Sequence, residues 1–179
     1  MGISAWKKVP GTSYRYSLRV NPSSGNLHPT ETHLALVGFT GVDDGLYHYR
    51  ADRHALELRS RGNWTDQLAR ALVLPWAAES PLIVGLTSIF WREAWKYRDR
   101  AYRYCCHDLG HALMSLLLAA RALGLPGGVV AHFSDLRLTY ALGLAESDEA
   151  PMAFLVFPPQ RPSGRLPALR PQKPTGIPN

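Results

Sequence analysis

The sequence predicts an α+β fold, with a mixed β-sheet and helices packed against it. Two short extended segments, THLALVG (32–38) and GLYHYR (45–50), lie on either side of the turn GVDDG and are typical of a hairpin. Residues 102–123 form the longest segment in which apolar residues recur at helical spacing. Strand-like and helix-like segments are interspersed along the rest of the chain, and this order favours an α+β architecture.

The predicted elements follow one another closely. Residues 1–31 are rich in Gly, Pro, Ser and Asn without clear periodicity, and they predict an ordered loop. After the hairpin we expect a third short strand at 55–60, a capped helix at 63–74 and a buried strand at 80–90. The long central helix follows at 102–123. A buried strand or strand-like loop at 128–133, a second capped helix at 134–144 and a last apolar strand at 151–158 complete the domain. The apolar stripe of the central helix consists of Leu109, Leu113, Leu116, Leu117, Ala120 and Leu123.

The chain of 179 residues is long enough for one domain with a real core, which we place at residues 1–158. Hydrophobic residues make up 46% of the chain and charged residues 19%, a composition typical of a globular protein. Residues 159–179 are rich in Pro and Arg and lack a core-forming pattern. They predict a tail that is either disordered or laid on a partner surface.

The charge balance and the cysteines narrow the class of protein. The net charge of +6 favours an anionic ligand or simply a basic surface, and it is not gathered into long basic runs, so we expect no nucleic-acid partner. The two cysteines, Cys105 and Cys106, are adjacent and poorly placed to form a disulfide, which favours a reducing cytoplasmic setting. The chain has no run of about 18 apolar residues, so we expect no membrane span.

The stretch YCCHDLGH (104–111) raises the question of a metal site. His107 and His111 are four residues apart and would share a helix face, as in the zinc-protease pattern H-E-x-x-H. A third ligand would have to come from His132, Glu146 or Asp148, none of which has a diagnostic spacing. We therefore favour a helix segment that faces a packed neighbour or a ligand, and we expect no metal. A glycine inside a helix is costly, so Gly110 predicts a close approach by another backbone or a flat ligand.

Two motifs carry a resemblance to a known family. The first, WKYRDRAYRYCCHDLGHALMSLLLAARALGLPGG (95–128), contains a Lys-Tyr pair, Arg and Tyr-Arg a few residues on, and an acid-x-Gly-His sequence at the head of a long helix. The second, RVNPSSGNLHPTE (19–31), is similar to the P-S-S-x-N-x-Q-P element of nitroreductases. In register over about residues 14–157, the chain resembles the SagB-type dehydrogenase branch of the FMN-dependent nitroreductase superfamily. This branch includes the azoline oxidases, which make thiazoles and oxazoles in modified peptides.

The resemblance implies a fold, a cofactor and a partner. Members have a mixed sheet with helices on both faces, and the long central helix forms part of the dimer core and of the flavin pocket. They are usually homodimers that bind FMN at the interface. The YCCHDLGH stretch would then be scaffold without a metal.

The resemblance also implies the residues that would contact FMN. A loop of small polar residues can approach a flat ring closely, although an ordinary serine turn would look the same in sequence. Arg19 would serve the FMN phosphate or only the surface, and Ala131 and His132 would lie near the reactive edge of the flavin, through backbone groups. The expected cofactor-binding residues are Arg19, Pro22, Ser23, Ser24, Asn26, His28, Ala131 and His132.

The expected catalytic residues are Lys96 and Tyr97. In the azoline oxidases a Lys-Tyr pair is the implied general-base system: a proton leaves the heterocycle while a hydride goes to the flavin. The alternative is a solvated basic segment in which Lys96 has no chemical role.

The chain departs from the family pattern at His28, where Gln is usual, and in two further places. Nitroreductases usually begin with one or two helices and an Arg-Ser-x-Arg-like segment that holds the FMN phosphate, and no equivalent precedes the Ser-Ser motif. Either this part is absent, or a separate chain or an upstream segment of a longer protein supplies it, and a pathway protein is a possible partner. Arg98 occupies the position after Lys-Tyr where Gly is common.

Three functional hypotheses remain open from the sequence. The first is an FMN-dependent dehydrogenase or oxidase that acts on a heterocycle, either peptide-borne or small. The second is an NAD(P)H-dependent nitroreductase-like reductase. The third is a truncated, noncatalytic flavin-fold domain. The Lys-Tyr pair favours the first hypothesis, and the missing N-terminal helices favour the third.

Overall fold

The computed structural model describes residues 1–144 and 148–159. The elements in chain order are β1 (Ile3–Lys8), β2 (Arg15–Arg19), β3 (Thr30–Leu36), β4 (Gly45–Arg50), β5 (Ala55–Arg61), α1 (Thr65–Ala71), β6 (Leu82–Ile89), α2 (Trp91–Tyr97), α3 (Ala101–Ala122), β7 (Gly128–Val130), α4 (Asp135–Ala141) and β8 (Glu149–Phe157). Short 3-10 turns lie at Ser24–Asn26, Pro75–Glu79 and Arg98–Arg100. Glu146 and most of the predicted tail, residues 160–179, lie outside the described residues.

Six strands form one sheet in the order β5-β4-β3-β6-β8-β7. Where the sequence predicts a mixed sheet, every pairing between the described strands of this sheet is antiparallel. The central strand β6 is buried from Ile83 to Ser88, as its continuous apolar sequence predicts. One end of the sheet, where β3 and β8 begin and β6 ends, carries the loop before β3 and helix α2.

Helices cover both faces of the sheet. On one face, α1 and α4 pack over the larger core, which includes Ala35, Leu46, Leu68, Leu72, Ile83, Leu138, Phe154 and Val156. On the other face, the predicted apolar stripe of α3 packs over a smaller cluster that includes Val84, Leu113, Leu116, Leu117, Ala120 and Leu155. The α+β architecture and the long central helix are therefore confirmed. None of the helices in the described part is long and apolar enough to cross a membrane.

The prediction of a loop over residues 1–31 is wrong in part, because β1 and β2 form an antiparallel hairpin there. Most side chains of this two-stranded sheet are exposed or only half-buried, so its apolar alternation is weak in the sequence. The segment 128–133, predicted as a buried strand or a strand-like loop, is a strand only in part. It shortens to β7, which lies at the sheet edge with Gly128 and Val129 exposed.

The predicted helix at 63–74 forms but is shorter. It ends at Ala71, and Val73 follows with a positive φ of 53°. Pro75 disfavours helical geometry in the residue before it, so the chain leaves the helix early. The predicted helix at 134–144 likewise narrows to Asp135–Ala141.

Helix α2 ends in a conformation that suits glycine better than its actual residue. Arg98 has φ 47° and ψ −122°. An L-residue pays a steric penalty there, on the order of 1–3 kcal/mol. This explains why glycine is common at the position and shows that the sharp turn between α2 and α3 forms despite the arginine.

Replacing Arg98 with glycine is expected to raise the free energy of unfolding by about 1 kcal/mol, because it removes this penalty. The measurement is urea denaturation. Arg100→Gly is the matched control, since Arg100 has φ −88° and gains nothing from glycine. A destabilised R98G variant would show that the arginine side chain contributes more than its backbone costs.

Candidate active site

The loop before β3 and the end of α2 meet at one glycine. Gly25 has φ 57°, and a Cβ built on it would lie 2.5 Å from Lys96 Nζ and 2.6 Å from Tyr97 Oη. Lys96 and Tyr97 therefore place their polar ends against the backbone of the segment Pro22–Asn26, about 70 residues earlier in the chain. We call residues 21–28 the serine loop. Gly25 and Lys96 are both exposed, so the meeting point is open to a ligand.

The serine loop is held down by one carboxylate from α3. Ser23 Oγ donates to Asp108 Oδ2 at 2.5 Å, and Ser24 donates to Asp108 Oδ1 through both its backbone N–H and its hydroxyl, each at 2.9 Å. Asp108 is only 2% exposed. A carboxylate that accepts several hydrogen bonds is well stabilised inside a protein. The acid of the acid-x-Gly-His sequence thus binds the Ser-Ser sequence directly.

The second half of the serine loop is held by one hydrogen bond to β2 and one within the loop. Asn26 donates from Nδ2 to the carbonyl of Ser17, and His28 Nε2 lies 2.8 Å from Asn26 Oδ1. Burial, and next the positive charge of Arg19, lower the pKa of His28 to about 4. His28 is therefore neutral at pH 7 and acts as a fixed hydrogen-bonding group of the loop.

Two arginines lie at this end of the sheet, and one of them connects α2 to the serine loop. Arg92 donates to the carbonyl of His28 at 2.8 Å and to Glu31 Oε1 at 2.5 Å. Arg19 is half-buried nearby, and burial lowers its pKa while the charge of Glu31 opposes that change. A positively charged Arg19 beside the loop is suited to an anionic ligand such as a phosphate.

Aromatic rings fix the position of Tyr97. Its ring packs on Tyr104 of α3 with a centroid distance of 4.4 Å, and Tyr104 meets His107 edge-on at 6.2 Å. Lys96 Nζ lies 5.3 Å from the centroid of the Tyr97 ring, within the range of a cation–π contact. The hydroxyl of Tyr97 thus projects from a ring whose orientation is set by α3.

The sequence reasoning missed one residue of the site, Glu93. This glutamate of α2 is 0% exposed, and neither carboxyl oxygen has a hydrogen-bond partner within the described part of the chain. Burial, and next the negative charge of Asp108, raise the pKa of Glu93 to about 7, while the positive charge of Lys96 lowers it. One feature of the sequence could have identified Glu93: it is a single acid three residues before Lys96, on the same helix face and surrounded by cations.

The predicted cofactor residues fall into two groups. Arg19, Pro22, Ser23, Ser24, Asn26 and His28 lie in or beside the serine loop. Ala131 and His132 are exposed beyond the end of β7, which is three strand spacings, about 14 Å, from β3. The structure thus places Lys96 and Tyr97 against the first group. It shows no contact of Ala131 or His132 with that group among the described residues.

The acid of the YCCHDLGH stretch, Asp108, has a structural role. Asp108 is occupied by Ser23 and Ser24, and His107 and His111 are exposed. Within residues 1–144 and 148–159 there is no cluster of three or more His, Cys, Asp or Glu that could hold a metal ion. A Cβ at Gly110 would meet nothing within 4 Å, so no other part of the described chain approaches this glycine.

The site has features that fit a flavin. The segment Pro22–Asn26 presents small residues and exposed backbone at Gly25, so a flat ring can approach it closely. The hydroxyls of Ser23 and Ser24 donate to Asp108, so the loop's exposed backbone groups are the better candidates for the ring's polar edge. Arg19 supplies positive charge beside the loop for a phosphate.

The six-stranded sheet with helices on both faces is the fold of a known protein family. Residues 15–157 match the Nitroreductase family model, so the chain belongs to the nitroreductase family. Members of this family are flavin oxidoreductases and typically bind FMN.

Two curated relatives are similar over part of the chain. MJ1384 of Methanocaldococcus jannaschii, a provisionally named nitroreductase, is 27% identical over 137 residues, which are 76% of this chain and 69% of that protein. The trifolitoxin-processing protein TfxB of Rhizobium leguminosarum bv. trifolii is 37% identical over 112 residues, 58% of this chain and 30% of TfxB.

Two solved structures share both the fold and part of the sequence with this chain. A provisionally named nitroreductase of Anabaena variabilis is 29% identical with a TM-score of 0.79, covering 87% of this chain and 32% of that one. The Escherichia coli microcin synthetase McbBCD, with truncated pro-MccB17 bound, gives 25% identity and a TM-score of 0.69, covering 87% of this chain and 59% of that one. The chain thus spans about a third of the Anabaena protein and of TfxB.

Replacing Gly25 with alanine is expected to displace Lys96 and Tyr97, since the new methyl group would occupy the space of their polar ends. The positive φ adds a backbone cost of about 1 kcal/mol. Gly11→Ala is the matched control, because Gly11 has φ 77° and a Cβ at this position would meet nothing within 4 Å.

We expect both variants to lose about 1 kcal/mol of stability in urea denaturation. Only G25A should also lose flavin retention, measured by absorbance after gel filtration, or substrate turnover. Equal activity of G25A and G11A would show that the contact of Lys96 and Tyr97 with the loop is not needed for activity.

Proposed function

We propose that this protein is an FMN-dependent dehydrogenase of the SagB type that oxidises a heterocycle such as a peptide azoline. The observation that carries the proposal is the convergence of Lys96 Nζ and Tyr97 Oη on Gly25 of the serine loop. A general base and a hydroxyl beside the loop that suits the flavin ring are the groups needed to remove a proton next to a hydride acceptor. A nitroaromatic reductase has no such need for a Lys-Tyr pair.

The residues of the chain have separable roles in this proposal. The serine loop and Arg19 would hold FMN, which when bound supplies the hydride acceptor. Lys96 takes the proton from the ring carbon of the azoline as the hydride leaves the neighbouring ring atom, and the product is the aromatic azole. Tyr97 orients the substrate and Lys96 through its hydroxyl, and its ring is held by Tyr104.

Two relatives support the choice of substrate class. TfxB is named for the processing of trifolitoxin, and the McbBCD structure contains a truncated pro-MccB17. Both names connect these two relatives with the processing of a toxin or the synthesis of a microcin. We therefore propose a modified peptide as the substrate and a protein of the same modification pathway as a partner.

We further propose a homodimer in the cytoplasm. Helix α3 leaves Met114 54% and Leu118 61% exposed, on a face that also carries the open Gly110. An exposed apolar face on a long helix is suited to a second copy of the chain. Cys105 and Cys106 are both free thiols, which fits a reducing compartment.

The experiment offers a thiazoline-containing peptide to the FMN-loaded protein without NAD(P)H and follows the loss of two hydrogen atoms by mass spectrometry. We expect conversion to the thiazole under these conditions. NAD(P)H-dependent reduction of a nitroaromatic compound or a quinone, with no azoline oxidation, would instead identify a reductase. Loss of flavin on gel filtration together with no activity would identify a noncatalytic domain.

A further inference from the structure

A buried carboxyl lies directly behind the proposed base. Glu93 precedes Lys96 by three residues and Tyr97 by four, so on α2 the three share one side of the helix. The glutamate is fully buried, whereas Lys96 is exposed. A buried acid one turn from an exposed lysine can influence the charge of that lysine without contacting substrate.

The polar groups around Glu93 and its neighbour Cys105 belong to three elements. Helix α3 contributes Asp108 and Cys105, and both are buried. Strand β6 contributes Ser88, which lies beside Cys105. On α2 itself, Arg92 directs its guanidinium to Glu31 and the carbonyl of His28, so Lys96 is the cation of this helix that acts on Glu93.

The two buried acids of this cluster differ in their hydrogen bonding. Asp108 accepts from Ser23 and Ser24, which stabilises its charge. Neither oxygen of Glu93 has such a donor within the described residues. An ionised carboxyl in that position is unfavourable because of burial and because of the charge on Asp108, so Glu93 keeps its proton at a pH where an ordinary glutamate has lost it.

We propose that Glu93 is a positioning residue that sets the charge of Lys96 through its own proton. When Glu93 is neutral, it provides no buried counter-charge to the ammonium form of Lys96, and this favours the role of the lysine as the base. When Glu93 loses its proton to solvent, its carboxylate stabilises the ammonium. The inference rests on the proposed role of Lys96 as base.

The test titrates the charge of Lys96 directly and needs neither flavin nor substrate. The chain has four lysines, Lys7, Lys8, Lys96 and Lys173. Reductive methylation with ¹³C-formaldehyde labels each amine and keeps its positive charge. The NMR signal of Lys96, assigned from its absence in a Lys96→Arg variant, is then followed against pH.

We expect the wild-type Lys96 signal to show an inflection near the pKa of Glu93, about 7. The inflection should be lost in Glu93→Gln, which keeps the shape of the side chain but cannot titrate. It should persist in His107→Gln, which removes an ionisable side chain that contacts Tyr104 next to the Tyr97 ring. It should also persist in Glu79→Gln, a change at an exposed glutamate.

A wild-type Lys96 signal without this inflection would overturn the inference even if Glu93→Gln fails to fold. So would an inflection that survives in E93Q or disappears in H107Q. Failure of the azoline assay with the inflection present would instead remove the proposed function and leave the coupling of the two charges in place. The two failures are therefore distinguishable.

An independent readout is the pH dependence of stability. The pKa of Glu93 is raised above its ordinary value, so its proton stabilises the folded state. This contribution is full below the pKa of the unfolded chain and is lost as pH rises through about 7. The unfolding free energy of the wild type should therefore fall between about pH 5 and pH 8 relative to that of E93Q. Parallel curves would show that Glu93 does not titrate in this range.

Discussion

Replacing Lys96 with alanine is expected to lower the rate of azoline oxidation by at least about 100-fold, because general-base catalysis typically contributes that much or more. Lys96 is exposed, so its loss should leave stability within about 0.5 kcal/mol of the wild type. The measurement is a pair of rates, kcat and kcat/KM, on the same thiazoline peptide. A fall in kcat with little change in KM would place Lys96 in the chemical step.

Three further variants separate the proton transfer from simple charge effects. Lys7→Ala removes an exposed lysine on the β1–β2 hairpin and should have no effect on the rate. Lys96→Arg keeps the positive charge but cannot act as a base near neutral pH, so it should be as impaired as K96A. Tyr97→Phe keeps the ring on Tyr104 and tests the hydroxyl alone. Full azoline oxidation by K96A would remove Lys96 from the mechanism.

Replacing Asp108 with alanine is expected to destabilise the protein by about 3 kcal/mol, since it leaves the part-buried donors of Ser23 and Ser24 without their acceptor. The serine loop would lose its anchor on α3, so FMN retention should fall with it. Urea denaturation measures the first effect, and flavin absorbance after gel filtration measures the second. Asp108→Asn keeps one carbonyl acceptor and should show a smaller loss.

The control for Asp108 is Asp99→Ala. Asp99 is an exposed acid in the turn between α2 and α3, and its replacement should change stability by less than about 0.5 kcal/mol. A D108A variant as stable as D99A and still able to hold FMN would show that the hydrogen bonds of Ser23 and Ser24 do not maintain the loop.

The regular elements of the main sheet were predictable from the sequence because each carries a local signal. The strand GLYHYR was predicted at 45–50, and β4 has the same bounds. The predicted central helix at 102–123 corresponds to α3. Both segments bury enough side chains for their periodicity to appear in the sequence. The hairpin at residues 3–19 was missed because a mostly exposed two-stranded sheet has little apolar alternation.

The candidate site was predictable only in part. The contacts of Asp108 with Ser23 and Ser24 join residues 85 and 84 positions apart, and no local pattern encodes such contacts. Family resemblance named Lys96 and Tyr97 and the serine loop as separate candidates, and their meeting at Gly25 appears only in the structure. Glu93 was missed because its burial depends on how α2 packs on α3, whereas its sequence context is a short charged segment.

The most direct test of the proposed function is whether this chain holds FMN. The purified protein is incubated with excess FMN, passed over a gel-filtration column, and its visible absorption spectrum is recorded across the protein peak. We expect flavin bands that elute with the protein at the size of a homodimer and that weaken strongly in D108A. A colourless protein peak, with all FMN eluting as the free compound, would contradict the proposal.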